Sequence, residues 1–228
     1  ILWALLDVLT IVVLGSGLAG QSLALRLADT RRVALVTKRA LTDSASAWAQ
    51  GGIAAVLDPA DSVDAHVADT ATAGAGLCDP TATRFVVEHG RAAIEWLIAR
   101  GVPFTADDSE LGFHLTREGG HGHRRIIHAA DATGSAVQET LTRQVREHPN
   151  ITVLERHIAI DLITAAKLGL ARNRCLGAYV LDIARDRVLT LGASHTVLAT
   201  GGAGKVYLYT TNPDTATGDG KAELFAIG

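Results

Sequence analysis

Two stretches of this 228-residue chain hold residues whose types and spacing could do chemistry. The first is Gly15-Ser16-Gly17-Leu18-Ala19-Gly20, a G-x-G-x-x-G run. Between a strand and a helix, such a run lets the backbone turn tightly, lets a pyrophosphate approach without meeting a Cβ, and aims a helix N-terminus at the anion. The second runs from His114 to Gly134 and gathers His114, His121, His123 and His128 with Arg117, Arg124 and Arg125 around its lone glutamate, Glu118. Cations at that density suit a substrate with two carboxylates, which needs charge pairing at both ends. The carboxylate among them has Arg117 and Arg124 close by in sequence, with either of which it can pair at the surface.

The elements that must position these residues follow from the apolar pattern. Val8 to Leu14 reads as a buried strand and Gln21 to Ala28, with Leu23 and Leu27 four apart, as the helix behind the glycines. Arg31-Arg32 end it, and Val33 to Val36 form a second short strand, completing a βαβ unit. The acidic residue that would serve the ribose hydroxyls of NAD is replaced by Thr37-Lys38. Lys38 cannot accept from a hydroxyl but can sit near an adenosine or pyrophosphate as a point charge, so this motif alone leaves the cofactor open.

A polar loop from Arg39 to Gly52 leads into Ile53 to Val56, and a loop of that length inside a compact domain is usually functional. Asp79-Pro80 opens a helix that closes at Arg100-Gly101. Another starts near Thr133-Gly134 and carries Val137, Leu141 and Val145 at four-residue steps, a stripe expected to pack on the sheet. Beyond it, Ile151 to Leu154, Ala159 to Thr164, Leu176 to Asp182 and Val188 to Leu191 read as a meander inserted into the parallel sheet. His195 to Ala199 returns as a buried strand ending at Thr200-Gly201-Gly202. The fold class is α/β: a Rossmann-like domain with a parallel sheet and inserted antiparallel strands.

Bulk properties narrow the classes. A net charge of −3 argues against a general nucleic-acid binder. Cys78 and Cys175, far apart and outside any C-x-x-C, read as reduced thiols of a cytosolic protein. Ile1 to Leu6 lacks a basic flank and is too short to span a bilayer; it reads as a divergent or trimmed leader. His121-x-His123 has a spacing seen in metal sites, but no third spaced ligand accompanies it, and no metal is assigned. His66, His89, His148, His157 and His195 are scattered and receive no role.

The loop Ala45-Ser46-Ala47-Trp48-Ala49-Gln50-Gly51-Gly52 resembles the second FAD-contacting loop of the fumarate reductase, succinate dehydrogenase and L-aspartate oxidase flavoproteins. Respiratory members of that family attach the flavin covalently to a histidine. The corresponding position is Ala45, whose methyl group offers no nucleophile, so the resemblance implies non-covalent FAD. The stretch from His114 to Gly134 is similar to that of the L-aspartate oxidases almost residue for residue. Val197 to Gly202, Tyr209 to Asp214 and Thr217-Gly218-Asp219-Gly220 resemble later cofactor-contacting segments. The resemblance implies FAD contacts from Gly15, Ser16, Gly17, Leu18, Ala19 and Gly20, from Lys38, from Ala45 through Gly52, from Ile158 and Ala159, and from Asp219. Asp219 would accept a hydrogen bond from the cofactor, or simply close a Gly-Asp-Gly bend.

The same resemblance, running from about Val8 to Gly220, implies oxidation of L-aspartate to iminoaspartate by hydride transfer from Cα to the flavin, with oxygen or fumarate as the final acceptor. The resemblance further implies the first step of NAD biosynthesis, in the cytoplasm, with quinolinate synthase taking the product. Glu118 would face the substrate ammonium where relatives acting on succinate or fumarate carry a glutamine. Residues 1–228 are expected to form one FAD-binding domain, the N-terminal part of a longer flavoprotein whose capping domain, with the catalytic arginine, and C-terminal helical domain are missing. Lys221 to Gly228 would begin the helix after Gly-Asp-Gly; the alternative is that Leu224 to Gly228 is a later strand. Two other functions stay open: a fumarate reductase or succinate dehydrogenase-like dicarboxylate oxidoreductase, which should lose Glu118, and a non-catalytic FAD-binding remnant.

Overall fold

A computed structural model of the chain describes residues 9–130 and 132–226. The reading of Ile1 to Leu6 as a leader lies outside them, as do Val8, Asp131 and the last two residues. In chain order the elements are β1 (Leu9–Leu14), α1 (Leu18–Leu27), β2 (Val33–Thr37), β3 (Ile53–Ala54), α2 (Val63–Ala73), α3 (Pro80–Ala99), β4 (Leu115–Thr116), β5 (Ile126–Ile127), α4 (Thr133–Glu147), β6 (Ile151–Glu155), β7 (His157–Thr164), β8 (Cys175–Asp182), β9 (Arg187–Leu198) and α5 (Asp219–Ala226). They form two compact units, one made of the residues up to Ala47 and from Leu141 on, the other of Trp48–Thr140. α4 begins in the second and ends in the first.

The first unit is built on a six-stranded sheet of order β6-β2-β1-β9-β8-β7. β1 lies parallel between β2 and β9, and β2 lies parallel to β6. Every residue of β2 is buried, as are Ile11 to Leu14 in β1, because a central parallel strand is covered on both faces. Side chains alternate across a strand, so Val12, Leu14, Ala34 and Val36 share one face, where they meet Leu162, Ala178 and Val180 of the antiparallel strands in one core cluster. α1 starts at Leu18, three residues earlier than its apolar pattern indicated, because Gly17 takes an extended N-cap conformation. Its buried side is Gln21, Ala24 and Leu25 rather than Leu23 and Leu27.

Two strand readings need correcting. β6 does not belong to the meander: Thr37 stands opposite Glu155, and β6 forms the parallel edge of the sheet. Nor are Val188–Leu191 and His195–Ala199 separate strands, since β9 is one strand of 12 residues. Its first half pairs antiparallel with β8 and its second half parallel with β1. The final segment is helical through Ala226, as preferred over a strand.

In the second unit β3, β5 and β4 form a small antiparallel sheet. α3 is capped by Asp79, whose side chain accepts from Ala82 N at 2.7 Å, and carries Pro80 in its first turn. α2 was not legible: Val63 to Ala73 is rich in alanine and threonine and has no apolar stripe, yet Ser62 caps it by accepting from Ala65 N at 3.1 Å. Among the described residues no helix is long and apolar enough to cross a membrane.

Candidate functional site

The glycines between β1 and α1 have no room for side chains. Gly15 sits at φ +115°, and a Cβ there would lie 2.2 Å from Ala199 O; one on Gly20 would lie 1.9 Å from Gly15 O. Both clashes are with backbone, so the turn can be made only with glycine at these positions. Buried polar groups brace it. Ser16 Oγ donates to Thr37 Oγ1 at 2.8 Å, Gln21 Nε2 donates to Ser16 O at 2.8 Å, and Thr142 Oγ1 donates to Gln21 Oε1 at 3.2 Å. Gly17 offers α1 no side-chain cap, and Leu18 N–H turns to Ser46 Oγ at 3.2 Å. A helix start of this kind, lined by glycine, receives an anion readily.

The turn opens into a cleft of about 150 Å³ continuous with solvent. Gly15, Ser16, Gly17, Lys38, Ala45, Ser46, Ile158, Ala159 and Asp219, all singled out in the sequence, lie on its wall. Asp43, Ser44, His157, Thr215 and Ala216 join them without having been singled out. Leu18, Ala19 and Gly20 continue into α1, and Ala47 belongs to the 3-10 turn Ala45–Trp48.

Lys38 and Asp219 are already engaged with each other. Lys38 Nζ lies 2.8 Å from Asp219 Oδ2 and donates to Thr217 Oγ1 at 2.6 Å, while Thr217 Oγ1 donates to Asp219 Oδ1 at 2.7 Å. Burial raises the Asp219 carboxyl, but the Lys38 ammonium and the Thr217 hydroxyl outweigh it and hold the group below the usual carboxylate range.

The site residues Trp48, Ala49, Gln50, Gly51, Gly52 and Glu118 belong to the second unit. Ala49 O accepts from Gly134 N at 2.9 Å, and Gly52 N reaches Glu118 Oε1 at a long 3.4 Å. Gly52 is another enforced glycine: a Cβ would lie 2.5 Å from Ile127 O. Glu118 is exposed and, among the described residues, forms no ion pair with Arg117 or Arg124, whose Nη1 donates instead to Leu115 O at 3.2 Å.

Arg125 does not supply the substrate-pairing charge that its sequence neighbourhood indicated. It is fully buried, with Nε and Nη2 each 2.8 Å from the Asp61 carboxylate and Nη1 2.9 Å from Asp69 Oδ2. Asp69 also accepts from Gly122 N at 2.6 Å; that hydrogen bond first, and Arg125 with it, holds its carboxyl below the usual range against the opposing effect of burial. His66, read as unremarkable, is buried with its ring 5.7 Å from that of His121. Burial foremost, then the Arg125 charge, lowers its pKa from 6.5. His121 and His123 go separate ways: His123 Nδ1 lies 3.5 Å from Asp61 Oδ1. His114 Nδ1 and His128 Nε2 are 2.9 Å apart, so one donates and the other accepts.

The family model described as FAD binding domain matches residues 10–228. The chain is 69% identical over 219 residues to an L-aspartate oxidase 1 from Ralstonia nicotianae, covering 96% of this chain and 41% of that protein. It is 55% identical to the L-aspartate oxidase of Pseudomonas aeruginosa, with 96% and 42% covered. Among solved structures, a mutant E. coli quinol fumarate reductase chain superposes with a TM-score of 0.87 at 28% identity, over 95% of this chain and 36% of that one. The chain thus spans about two fifths of the length of the relatives it matches.

Proposed function

The chain belongs to the FAD binding domain family and FAD is its cofactor; from that premise we propose that it serves the oxidation of L-aspartate to iminoaspartate, as one FAD-binding domain of a longer flavoprotein. The residues present fit the cofactor. The Gly15 to Gly20 turn, with no space for a Cβ on Gly15 or Gly20, would hold the pyrophosphate at the α1 N-terminus, and Ile158, Ala159 and the Lys38–Asp219 pair would border the adenosine side. Ala45 on the cleft wall supports non-covalent binding, since its methyl cannot attack the flavin. When bound, FAD supplies the two-electron acceptor for the hydride leaving the substrate Cα.

The choice of substrate rests on Glu118. Its exposed carboxylate, without a cationic partner among the described residues, is available to pair with an α-ammonium, a group that aspartate has and succinate lacks. The Trp48 to Gly52 loop joins this role through the Gly52 amide, which meets the same carboxylate. Oxygen or fumarate would take the electrons. Quinolinate synthase would use the iminoaspartate, which hydrolyses readily in water. The cytoplasm fits two unpaired cysteines, Cys78 and Cys175.

The test is Glu118→Gln in the full-length protein carrying this chain. The change removes a charge and preserves shape, so kcat/KM for L-aspartate is expected to fall by about 10- to 100-fold, the worth of a charge-assisted contact, while fumarate reduction holds or rises. An unchanged ratio of the two activities would sink the orienting role of Glu118.

A further inference from the structure

At the C-terminal end of β6 the chain makes a turn whose geometry is unusual. Thr37, the last residue of β2, stands opposite Glu155, and the next residue, Arg156, has φ +55°. A non-glycine residue rarely adopts this left-handed conformation, and a residue held there marks a place where the surroundings dictate the backbone. The turn ends at His157, which opens β7 opposite Asp182 and lies on the cleft wall with Ile158 and Ala159.

His157 is also pinned. Its Nδ1–H donates to Glu155 O at 2.6 Å, which fixes the tautomer because a carbonyl only accepts, and its Nε2 lies 3.9 Å from Asp182 Oδ2. Asp182, 1% exposed, is held in turn by Arg185 at 2.9 Å and Arg187 at 3.7 Å. The imidazole itself is 11% exposed. A planar ring fixed through Nδ1 and largely enclosed has little rotamer freedom left to lose when another ring is laid against it.

Its position says which ring that would be. In a βαβ nucleotide site the pyrophosphate sits at the first turn and the adenosine ribose at the end of the second strand. The base therefore extends past the end of β2 towards the next strand in the sheet. That strand is β6, and the residue on the wall just beyond it is His157. We propose that the His157 imidazole forms a wall of the adenine pocket and stacks on the base of FAD. The inference rests on the FAD reading and goes beyond it by naming a recognition element for the half of the cofactor remote from the chemistry.

The experiment titrates the chain with FAD, ADP and FMN, following flavin fluorescence or heat, for the wild type, His157→Ala and His157→Phe. ADP carries the adenine and FMN lacks it. His157→Ala is expected to weaken FAD and ADP about tenfold each, within the range for losing one base-stacking side chain, and to leave FMN unchanged. His157→Phe keeps a ring and should restore most of the loss. Equal binding of FAD and ADP by wild type and His157→Ala overturns the proposal, as does FMN weakening in parallel or a His157→Phe protein as weak as His157→Ala. Wild-type chain that binds neither FAD nor ADP would overturn the FAD reading itself, a result distinct from the others.

Discussion

The Arg125 guanidinium shows how far a side chain's role can depart from its sequence neighbours. It sits among histidines and arginines, yet its charge is spent on Asp61, just before the Ser62 cap of α2, and on Asp69 in that helix, both far away in sequence. No local pattern reveals such a pair, because opposite charges that meet through folding need no fixed spacing. With Arg125 fully buried and Asp61 1% exposed, removing the cation would leave a buried carboxylate uncompensated. Arg125→Leu is therefore expected to destabilise the chain by about 3–5 kcal/mol, read from urea unfolding. Adding Asp61→Asn should return part of that loss, since it discharges the orphaned group. A cost below about 1 kcal/mol would place Arg125 with ordinary surface pairs.

At the scale of elements, the turn into α1 makes a prediction opposite to helix propensity. Gly→Ala inside a helix is normally favourable by about 0.5–1 kcal/mol. Gly20→Ala would instead press a Cβ to 1.9 Å from Gly15 O, so a lower melting temperature and a loss of FAD affinity of at least about tenfold, or 1.4 kcal/mol, are expected. Gly119→Ala, with nothing within 4 Å of the added carbon, is the control that should change neither. Equal behaviour of the two variants would remove the argument for enforced glycines. This turn was legible because its signals are local: an apolar run, the glycine spacing, then a second apolar run. The cap signals of α3 were local too, and Asp79 and Pro80 were found where they stand. What escaped depended on partners. Ile151–Glu155 has the same composition whether it joins a meander or a parallel edge, and only β2 decides. Gly192, Ala193 and Ser194 fell between the two expected strands, but they lie within β9, where the backbone continues the ladder. α2 owes its helix to a cap rather than to a stripe. In the cleft, the glycines and Ala45 were readable, whereas His157 reached the wall only through the turn at Arg156.

For the whole molecule, membership of the family and the activity of this chain are separate questions. Fixing a dicarboxylate against a flavin needs cations at the cleft. The basic residues lining it are Lys38, held by Asp219 and Thr217, and His157, held by Glu155 and facing Asp182. With FAD in excess, the 228-residue chain is expected to release little peroxide from L-aspartate and to give up its flavin to the supernatant on acid precipitation. Turnover matching an L-aspartate oxidase relative, or yellow colour left in the pellet, would contradict one or the other. The pairing of β1 with β9 also bears on biosynthesis. Ile11 meets His195, roughly 180 residues later, so at about 5–20 residues per second a ribosome takes on the order of 10–40 s to deliver the partner. Throughout that interval one edge of an apolar strand has no mate, and it stays open to wrong pairing until β9 has been made.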